Sequence, residues 1–215
     1  MAAEGERSWL AVLVAGATVV GAAIVGSMKR TWNPYLRSLE DGGFMQHDVV
    51  KNRDELRKKF VEKYSWAIPS DRAILKMVEF SPKYVEMGAG QGYWAKALTE
   101  AGAKVLAYDD GSWEYKPVWF DVEKGTPESI RGHVDADTAL LLVWPDYDGN
   151  VASDSLDTYL DEGGEKLVYV GEGPYGCTAN DKFFEELERM SLVDVERLPV
   201  WDGLHDRAFF YRKKA

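Results

Sequence analysis

The residues best suited to chemistry form a glycine-rich run that is preceded by one acid and followed, one element later, by another. The run is Glu86-Met87-Gly88-Ala89-Gly90-Gln91-Gly92, and the later acid is Asp109. Glycines permit the positive φ angles of a tight turn and let the backbone approach a ligand closely. A carboxylate at the end of the next strand can accept both hydroxyl hydrogen bonds of a ribose. The pattern predicts a site for an adenosine-type cofactor. Its candidate residues are Glu86, Gly88, Gly90, Gly92 and Asp109, with Asp121 a further candidate near the adenine.

Two strands and the helix between them must position these residues. Tyr84–Met87 is a short apolar run that leads into the glycines, and a helix is expected to begin at Tyr93. The apolar run Lys104–Tyr108 then ends in Asp109. Together these elements predict a βαβ unit that carries its ligand at the carboxyl ends of the strands.

The spacing of the glycines indicates which cofactor is bound. A dinucleotide-binding G-x-G-x-x-G run would require a glycine where Tyr93 stands, which disfavours a nicotinamide-dependent oxidoreductase. The run from Glu86 to Gly92 resembles motif I of the class I S-adenosylmethionine-dependent methyltransferases, E/D-x-G-x-G-x-G. The resemblance covers about residues 64–212 and implies S-adenosylmethionine as the cofactor. The alternative is an ordinary βα turn without a ligand.

The rest of the sequence alternates between strand and helix patterns, which predicts an α/β fold. The resemblance implies a Rossmann-like, mostly parallel seven-stranded sheet that ends in an antiparallel hairpin. Further strands are predicted at Val118–Val122, Thr138–Trp144, Lys166–Gly171, Val193–Leu198 and Ala208–Arg212. Further helices are predicted at Asp54–Tyr64, Asp71–Phe80, Ser153–Leu160 and Asn180–Met190.

The first catalytic candidates follow the fourth strand. Trp144-Pro145-Asp146-Tyr147 resembles a divergent form of the D/N-P-P-Y/F/W motif of amino-group methyltransferases. In that family the first residue accepts the hydrogens of the target amino group and the aromatic residue stacks on the target. Trp144 replaces the polar residue here, so the resemblance leaves Asp146 as a substitute acceptor or base and Tyr147 as the aromatic residue. The alternative is a turn at the strand end with a packed tryptophan.

Later loops contain further candidates. Glu172 follows the fifth strand in the glycine-rich run 171–178 and is suited to orient or deprotonate an acceptor. His205-Asp206, in the final hairpin loop, could act as a base or be a solvated turn. Cys177 is expected to pack as a small apolar residue rather than act as a nucleophile. The histidines show no metal-ligand spacing, so no metal site is expected. Residues 64–70 either cover the methionine end of the cofactor or fasten the start of a helix.

A long uncharged segment lies ahead of these elements. Residues 8–28 carry no charged side chain, and Lys29 and Arg30 follow them. At about 1.5 Å per residue the segment is long enough to cross a bilayer core. The sequence therefore predicts a tail at 1–7, a single transmembrane helix at 8–28, a juxtamembrane connector at 29–50, irregular from residue 31, and a methyltransferase-like domain at 51–215. The basic flank places that domain in the cytosol or an organelle interior, such as that enclosed by the mitochondrial inner membrane. A cleaved signal peptide is the alternative.

The net charge of the chain and the small residues of the segment 8–28 indicate which partners to expect. The net charge of -10 disfavours the binding of nucleic acid through its phosphates. Small residues spaced four apart, such as Ala17 and Gly21, would allow another membrane helix to approach closely. The expected partners are therefore membrane lipid, an unidentified methyl acceptor and other transmembrane helices. Two functions follow: a membrane-anchored methyltransferase, or a non-catalytic methyltransferase-like accessory subunit of a membrane complex.

Overall fold

The computed structural model of the chain describes residues 33–51, 54–114 and 116–214. In chain order its helices are α1 (Pro34–Asp41), α2 (Asp54–Lys63), α3 (Asp71–Phe80), α4 (Tyr93–Glu100), α5 (Val151–Asp161) and α6 (Asp181–Glu186). Its strands are β1 (Met45–Gln46), β2 (Val49–Val50), β3 (Lys83–Met87), β4 (Lys104–Asp109), β5 (Glu123–Lys124), β6 (Thr138–Val143), β7 (Lys166–Gly171), β8 (Met190–Arg197), β9 (Val200–Trp201) and β10 (Arg207–Lys213). Short 3₁₀ turns cover Pro127–Ile130 and Leu187–Arg189.

The main sheet has seven strands in the order β5-β4-β3-β6-β7-β10-β8. The strands from β5 to β7 pair in parallel, whereas β10 pairs antiparallel with both β7 and β8. The prediction of a mostly parallel sheet with a terminal antiparallel hairpin is confirmed. Its central strands are near-continuous apolar runs because helices cover both faces of a parallel sheet. In β6, for example, the run from Thr138 to Leu142 is buried.

The register of the central strands places the functional loops side by side. Met87 at the end of β3 pairs with Tyr108 of β4 on one side and with Leu142 of β6 on the other. Since these strands are parallel, the glycine turn, Asp109 and Trp144 all emerge at the carboxyl edge of the sheet. Neighbouring strands lie about 4.8 Å apart, so these loops are in reach of a common ligand.

The predicted strand at Val118–Val122 is wrong: only the two-residue strand β5 forms, and it follows this segment. The backbone N–H of Trp119 donates to the carbonyl oxygen of Gln91 in the glycine turn, 2.8 Å away. The Trp119 indole N–H donates to the carbonyl oxygen of Lys63, the last residue of α2, 2.7 Å away. The segment therefore lies against the glycine turn instead of extending the sheet, because its donors bond to that turn and to the end of α2.

The irregular connector predicted at residues 31–50 is also wrong for 34–50. Helix α1 and the hairpin of β1 and β2 occupy this stretch, and β2 pairs in parallel with β9. The compact unit accordingly begins at Asn33 rather than at residue 51. Tyr35 and Leu39 of α1 are fully buried in a second core cluster that includes Phe60 and Trp201. This burial, rather than local helix propensity, is the main source of stability for so short a helix.

The predicted tail at 1–7 and transmembrane segment at 8–28 lie outside the described residues. Within the described part of the chain, no helix combines the length and the apolar character needed to cross a membrane.

Candidate functional site

The glycine turn between β3 and α4 has the conformation that its sequence predicts. The φ angles of Gly88, Gly90 and Gly92 are +74°, +55° and +75°, which residues with a Cβ atom adopt at a cost. The backbone N–H groups of Gly88 and Ala89 both donate to the carbonyl oxygen of Tyr108, at 2.9 and 3.0 Å. These bonds hold the turn against the end of β4, next to the predicted ribose acceptor.

Two of the glycines serve different purposes. A Cβ atom on Gly88 would meet no atom of the described chain within 4 Å, so this position faces open space at the carboxyl edge. A Cβ atom on Gly92 would lie 2.6 Å from Cβ of Phe120 and 2.8 Å from Cγ2 of Val122. Gly88 thus leaves room for a ligand, whereas Gly92 leaves room for the segment that packs over the turn.

Asp109 lies at the end of β4, where the sequence predicts the ribose contact. Its Oδ2 accepts the backbone N–H of Gly90 at 2.9 Å, and its Oδ1 accepts that of Gly111 at 3.0 Å. Each carboxylate oxygen has two lone pairs, so each still has one for a ribose hydroxyl. The carboxylate therefore ties the two loops together and retains capacity for a ligand.

Glu86 is almost completely buried in β3. The backbone N–H of Ala95 donates to its carboxyl group, but Oε2 has no hydrogen-bond partner among the described residues. Burial raises the pKa of Glu86 to about 8, and the nearby charge of Asp109 acts in the same direction. A buried carboxyl group with a free oxygen is suited to receive an N–H donor from a ligand.

Asp121 lies in the segment that packs over the glycine turn. It is exposed, whereas its neighbours Phe120 and Val122 lie against Gly92. Its assignment to the adenine stays a prediction.

A second cluster forms at the same edge around Trp144, which directly follows β6. Trp144 has a φ of +52°, an uncommon conformation for a bulky residue. Its indole Nε1–H donates to Oδ1 of Asp206 at 2.9 Å. Its ring stacks on that of Trp66, with centroids 4.9 Å apart and an interplanar angle of 7°. The guanidinium carbon of Arg57 lies 5.6 Å from both ring centroids. A strained backbone fixed by such contacts is characteristic of functional sites.

Glu172 is held in the loop after β7. Its Oε2 accepts the backbone N–H of Cys177 and its Oε1 that of His205, both at 2.9 Å. Burial would raise the pKa of Glu172, but these N–H groups outweigh it and hold the pKa below its ordinary value. Glu172 is therefore ionised at neutral pH and links the loop after β7 to the final hairpin loop.

The neighbouring residues His205 and Asp206, predicted as a candidate base, differ in exposure. The side chain of His205 is exposed, whereas Asp206 is buried beside Trp144. Burial raises the pKa of Cys177 to about 11, and the carboxylate of Glu172 beside it adds to the shift. The thiol is therefore protonated at neutral pH and is a poor nucleophile.

Asp146 and Tyr147 do not join this cluster. Both are exposed, and the backbone of Asp146 forms an antiparallel bridge with Thr178. Their catalytic assignment stays a prediction. Among the described residues, no group of three or more His, Cys, Asp or Glu side chains is placed to hold a metal ion.

Sequence reasoning did not assign Arg57 to the site, and it did not predict that Trp66 stacks on Trp144. No local spacing relates these residues, because they come from distant parts of the chain. The one available signal was the aromatic and proline content of residues 64–70. Ser70 in that run is the N-cap of α3, as expected of a residue that fastens a helix start, and its side chain accepts the N–H of Ala73 at 3.1 Å.

No protein-family model matches the sequence, and no curated protein matches it either. Similar solved structures exist. A putative type 11 methyltransferase from Sulfolobus solfataricus has a TM-score of 0.50 and 12% sequence identity, over 69% of this chain and 94% of that chain.

Two other solved structures are more distant in shape. The 1,6-didemethyltoxoflavin-N1-methyltransferase of Burkholderia thailandensis has a TM-score of 0.45 and 15% identity, over 74% of this chain and 88% of that chain. A TehB-like SAM-dependent methyltransferase from Corynebacterium glutamicum has a TM-score of 0.43 and 17% identity, over 66% and 87%. At these identities the similarity concerns the fold alone. The described domain has the α/β methyltransferase fold, with a mostly parallel seven-stranded sheet.

Proposed function

We propose that this protein is a membrane-anchored methyltransferase that uses S-adenosylmethionine. The observation that carries the proposal is the turn of Gly88, Gly90 and Gly92, whose positive φ angles bring the backbone to Asp109 at the carboxyl edge of the sheet. A glycine turn at a strand end and an acid at the end of the next strand form the crevice in which open α/β sheets bind their ligands.

The residues at this turn fit S-adenosylmethionine. The open space over Gly88 permits close approach, Asp109 has lone pairs for the ribose hydroxyls, and the free oxygen of Glu86 suits an amino group. When bound, the cofactor supplies a methyl group on a sulfonium, which is activated for attack by a nucleophile. The contribution of the chain is to hold the acceptor in line with that methyl group and to remove a proton where the acceptor has one.

Membrane anchoring is part of the proposal. It rests on residues 8–28, which carry no charge, and on the basic flank at Lys29 and Arg30. The domain would lie on the side of that flank, in the cytosol or an organelle interior, with lipid and other transmembrane helices as partners. The net charge of -10 argues against a nucleic acid acceptor.

A non-catalytic accessory subunit is the second candidate. It is favoured by Trp144, which stands where amino-group methyltransferases have a polar acceptor, and by the exposure of Asp146 and Tyr147. The close packing of Phe120 over Gly92 also restricts one side of the glycine turn.

Calorimetric titration of the full-length protein in mild detergent with S-adenosylmethionine tests the proposal. Asp109→Ala should weaken binding by roughly 1–3 kcal/mol, or about 5- to 150-fold, because the ribose hydroxyls lose a charged partner. Asp110→Ala is the matched control, since Asp110 is exposed and accepts the N–H of Ser112 in its own loop. We expect its effect to be within about 0.5 kcal/mol.

If the folded wild-type protein does not bind S-adenosylmethionine at millimolar concentration, the proposed enzymatic function is refuted and the accessory subunit is favoured. Equal losses in Asp109→Ala and Asp110→Ala would place the ribose elsewhere.

A further inference from the structure

We propose that Asp206 accepts the proton of the methyl acceptor, and that the acceptor is a planar aromatic molecule which stacks on Trp66. The proposal rests on the methyltransferase function above. It assigns the acceptor site to the second cluster at the carboxyl edge rather than to Asp146 and Tyr147.

Asp206 is buried, and only one of its two carboxyl oxygens has a hydrogen-bond partner among the described residues. Its relative exposure is 2%, and Oδ1 accepts the indole N–H of Trp144. Its Oδ2 is also buried and has no hydrogen-bond partner among the described residues. Leaving a buried carboxylate oxygen unpaired costs free energy, which an O–H or N–H group of a ligand would recover.

The position of Asp206 relative to the cofactor turn is set by the sheet. Met87 pairs with Leu142, so the glycine turn after Met87 and Trp144 after β6 begin within two residues of the same level in neighbouring strands. Trp144 then connects this level to Asp206 through its indole N–H. Arg207, directly after Asp206, pairs with Gly171 at the end of β7, so the loop that carries Asp206 and the glycine turn lie at the same edge of the sheet.

The charged surroundings of Asp206 suit a base that works near neutral pH. Burial raises the pKa of Asp206 to about 6, the hydrogen bond from Trp144 opposes this shift, and the charge of Glu172 adds to it. Arg57 and His205 act to lower the pKa. The ionisable groups that face Asp206 are Arg57 from α2, Tyr35 from α1, Tyr169 of β7, Glu172 and Cys177 from the loop after β7, and His205 from its own loop.

Trp66 provides the surface for the acceptor ring. Trp144 stacks on it in a nearly parallel arrangement, and Arg57 contacts both rings. Yet 47% of Trp66 stays exposed, so part of its ring is free to stack on a ligand. Rings prefer offset stacking with planar partners, and the guanidinium group of Arg57 favours a ring with an anionic substituent. These features select a planar ring that carries the O–H or N–H to be methylated.

The O–H or N–H bond of the acceptor breaks and its proton passes to Oδ2 of Asp206. The lone pair on the acceptor atom forms a bond to the methyl carbon while the carbon–sulfur bond breaks, and that electron pair stays on sulfur. Asp206 then releases the proton to solvent.

The first test follows the indole N–H of Trp144 by nitrogen-15 NMR from pH 4.5 to 8 and needs no acceptor. It uses the full-length protein with His205→Gln, so that Asp206 has no histidine beside it in the chain. We expect the Trp144 signal to titrate with a midpoint near pH 6, and to lose that titration in Asp206→Asn. A signal that does not titrate, or that titrates unchanged in Asp206→Asn, overturns the role of Asp206.

The second test measures methyl transfer to a panel of phenols, hydroxyindoles and N-heterocycles, with aliphatic alcohols and amines for comparison. In the wild type, kcat/KM for the planar acceptors should fall below about pH 6, because a protonated Asp206 cannot accept a proton. Asp206→Asn should reduce kcat by roughly 10²- to 10⁴-fold without weakening cofactor binding. Asp202→Asn, an exposed acid of the same loop, is its control and should leave kcat unchanged.

Two further variants address stacking and the role of Asp206 separately. Trp66→Ala should raise KM for planar acceptors by roughly 2- to 10-fold, whereas Trp113→Ala, an exposed tryptophan of the loop after β4, should not.

If Asp206→Asn does not fold, Trp144→Phe is the alternative variant. Phenylalanine keeps an aromatic ring at this position but lacks the N–H that donates to Asp206. Without that donor the pKa of Asp206 should rise, so the acid limb of the profile should move to higher pH. A purely structural role would leave the limb in place.

The outcomes separate this inference from the proposed function. Failure to bind S-adenosylmethionine refutes the proposed function and this inference with it. Binding without turnover of any planar acceptor, or turnover of aliphatic acceptors alone, overturns the acceptor class only. Turnover that is unaffected by Asp206→Asn overturns the role of Asp206 and leaves the methyltransferase intact.

Discussion

Glu86 couples the stability of the domain to pH. Burial raises its pKa to about 8 from an ordinary value of 4.5, so between these values the folded protein holds a proton that the unfolded chain has released. Stability therefore falls as the pH rises through this window. Glu86→Gln stays neutral at every pH and should remove the effect. Relative to the wild type, the variant should gain at least about 1.4 kcal/mol in free energy of unfolding between pH 5 and 8.5.

Denaturant titrations at the two pH values measure this difference. Glu79→Gln, on the exposed side of α3, is the control: it retains Glu86, so its stability should follow that of the wild type at both pH values. A constant difference between Glu86→Gln and the wild type would mean that Glu86 is ionised in the folded protein throughout this range.

Gly88 and Gly92 should respond differently to the same substitution. Both have φ near +75°, so alanine costs about 1–2 kcal/mol in backbone strain at either position. Gly92→Ala also forces Cβ against Phe120 and should lose a further 1–3 kcal/mol or so. Gly88→Ala should fold but bind S-adenosylmethionine at least about tenfold more weakly, because its methyl group enters the cofactor space. Thermal unfolding and calorimetry measure the two effects; equal stabilities of the variants would contradict the packing role of Gly92.

At the scale of elements, helix α1 is fastened to the domain by its N-cap. Oδ1 of Asn33 accepts the backbone N–H of Tyr35 at 2.9 Å and the hydroxyl of Tyr93 at 2.6 Å, and its Nδ2 donates to the carbonyl oxygen of Pro69 at 2.6 Å. Asn33→Ala loses the cap and leaves buried partners unpaired. We expect it to lower the free energy of unfolding by about 2–5 kcal/mol.

Ser70→Ala is the matched control for Asn33→Ala, since Ser70 caps α3 through one local bond to the N–H of Ala73. It should lower the free energy of unfolding by about 0.5–2 kcal/mol in the same denaturant titration. Equal losses in the two variants would mean that the long-range bonds of Asn33 contribute little.

Four strands of the main sheet could be predicted from local sequence, whereas the segment at Val118–Val122 and helix α1 could not. Strands β3, β4, β6 and β7 were readable because a buried parallel strand is a continuous apolar run bounded by turn residues. The segment at Val118–Val122 has the same apolar character, yet it lies against Gly92 and Gln91 instead of entering the sheet. Helix α1 is not predicted from the sequence because a proline usually interrupts a helix, whereas here Asn33 is the N-cap and Pro34 is the first helical residue.

At the scale of the whole molecule, the small residues of the 8–28 segment separate the two candidate functions. Replacement of Gly16, Gly21 and Gly26 together by leucine should leave membrane insertion intact, because leucine is more favourable than glycine in a bilayer. It should disrupt close helix packing. An accessory subunit should therefore leave its complex, whereas an enzyme that only needs the membrane nearby should be unaffected.

Native gel migration after mild detergent extraction measures this outcome. Release of the triple variant from a high-mass band supports a partner helix. A high-mass band in both forms would show that these glycines form no interface, and monomeric migration of both forms would refute the subunit.

The glycine turn and its acids could be predicted from the sequence alone, because they are local features of the chain. Gly88, Gly90 and Gly92 permit the positive φ angles that the turn requires, and Asp109 follows them at the end of the next strand. The acceptor side depended on the tertiary structure. Trp66 and Trp144 stack across distant parts of the chain, and Asp206 reaches Trp144 only when the final hairpin closes the sheet. Burial and pairing of that kind come from folding, so no local spacing encodes them.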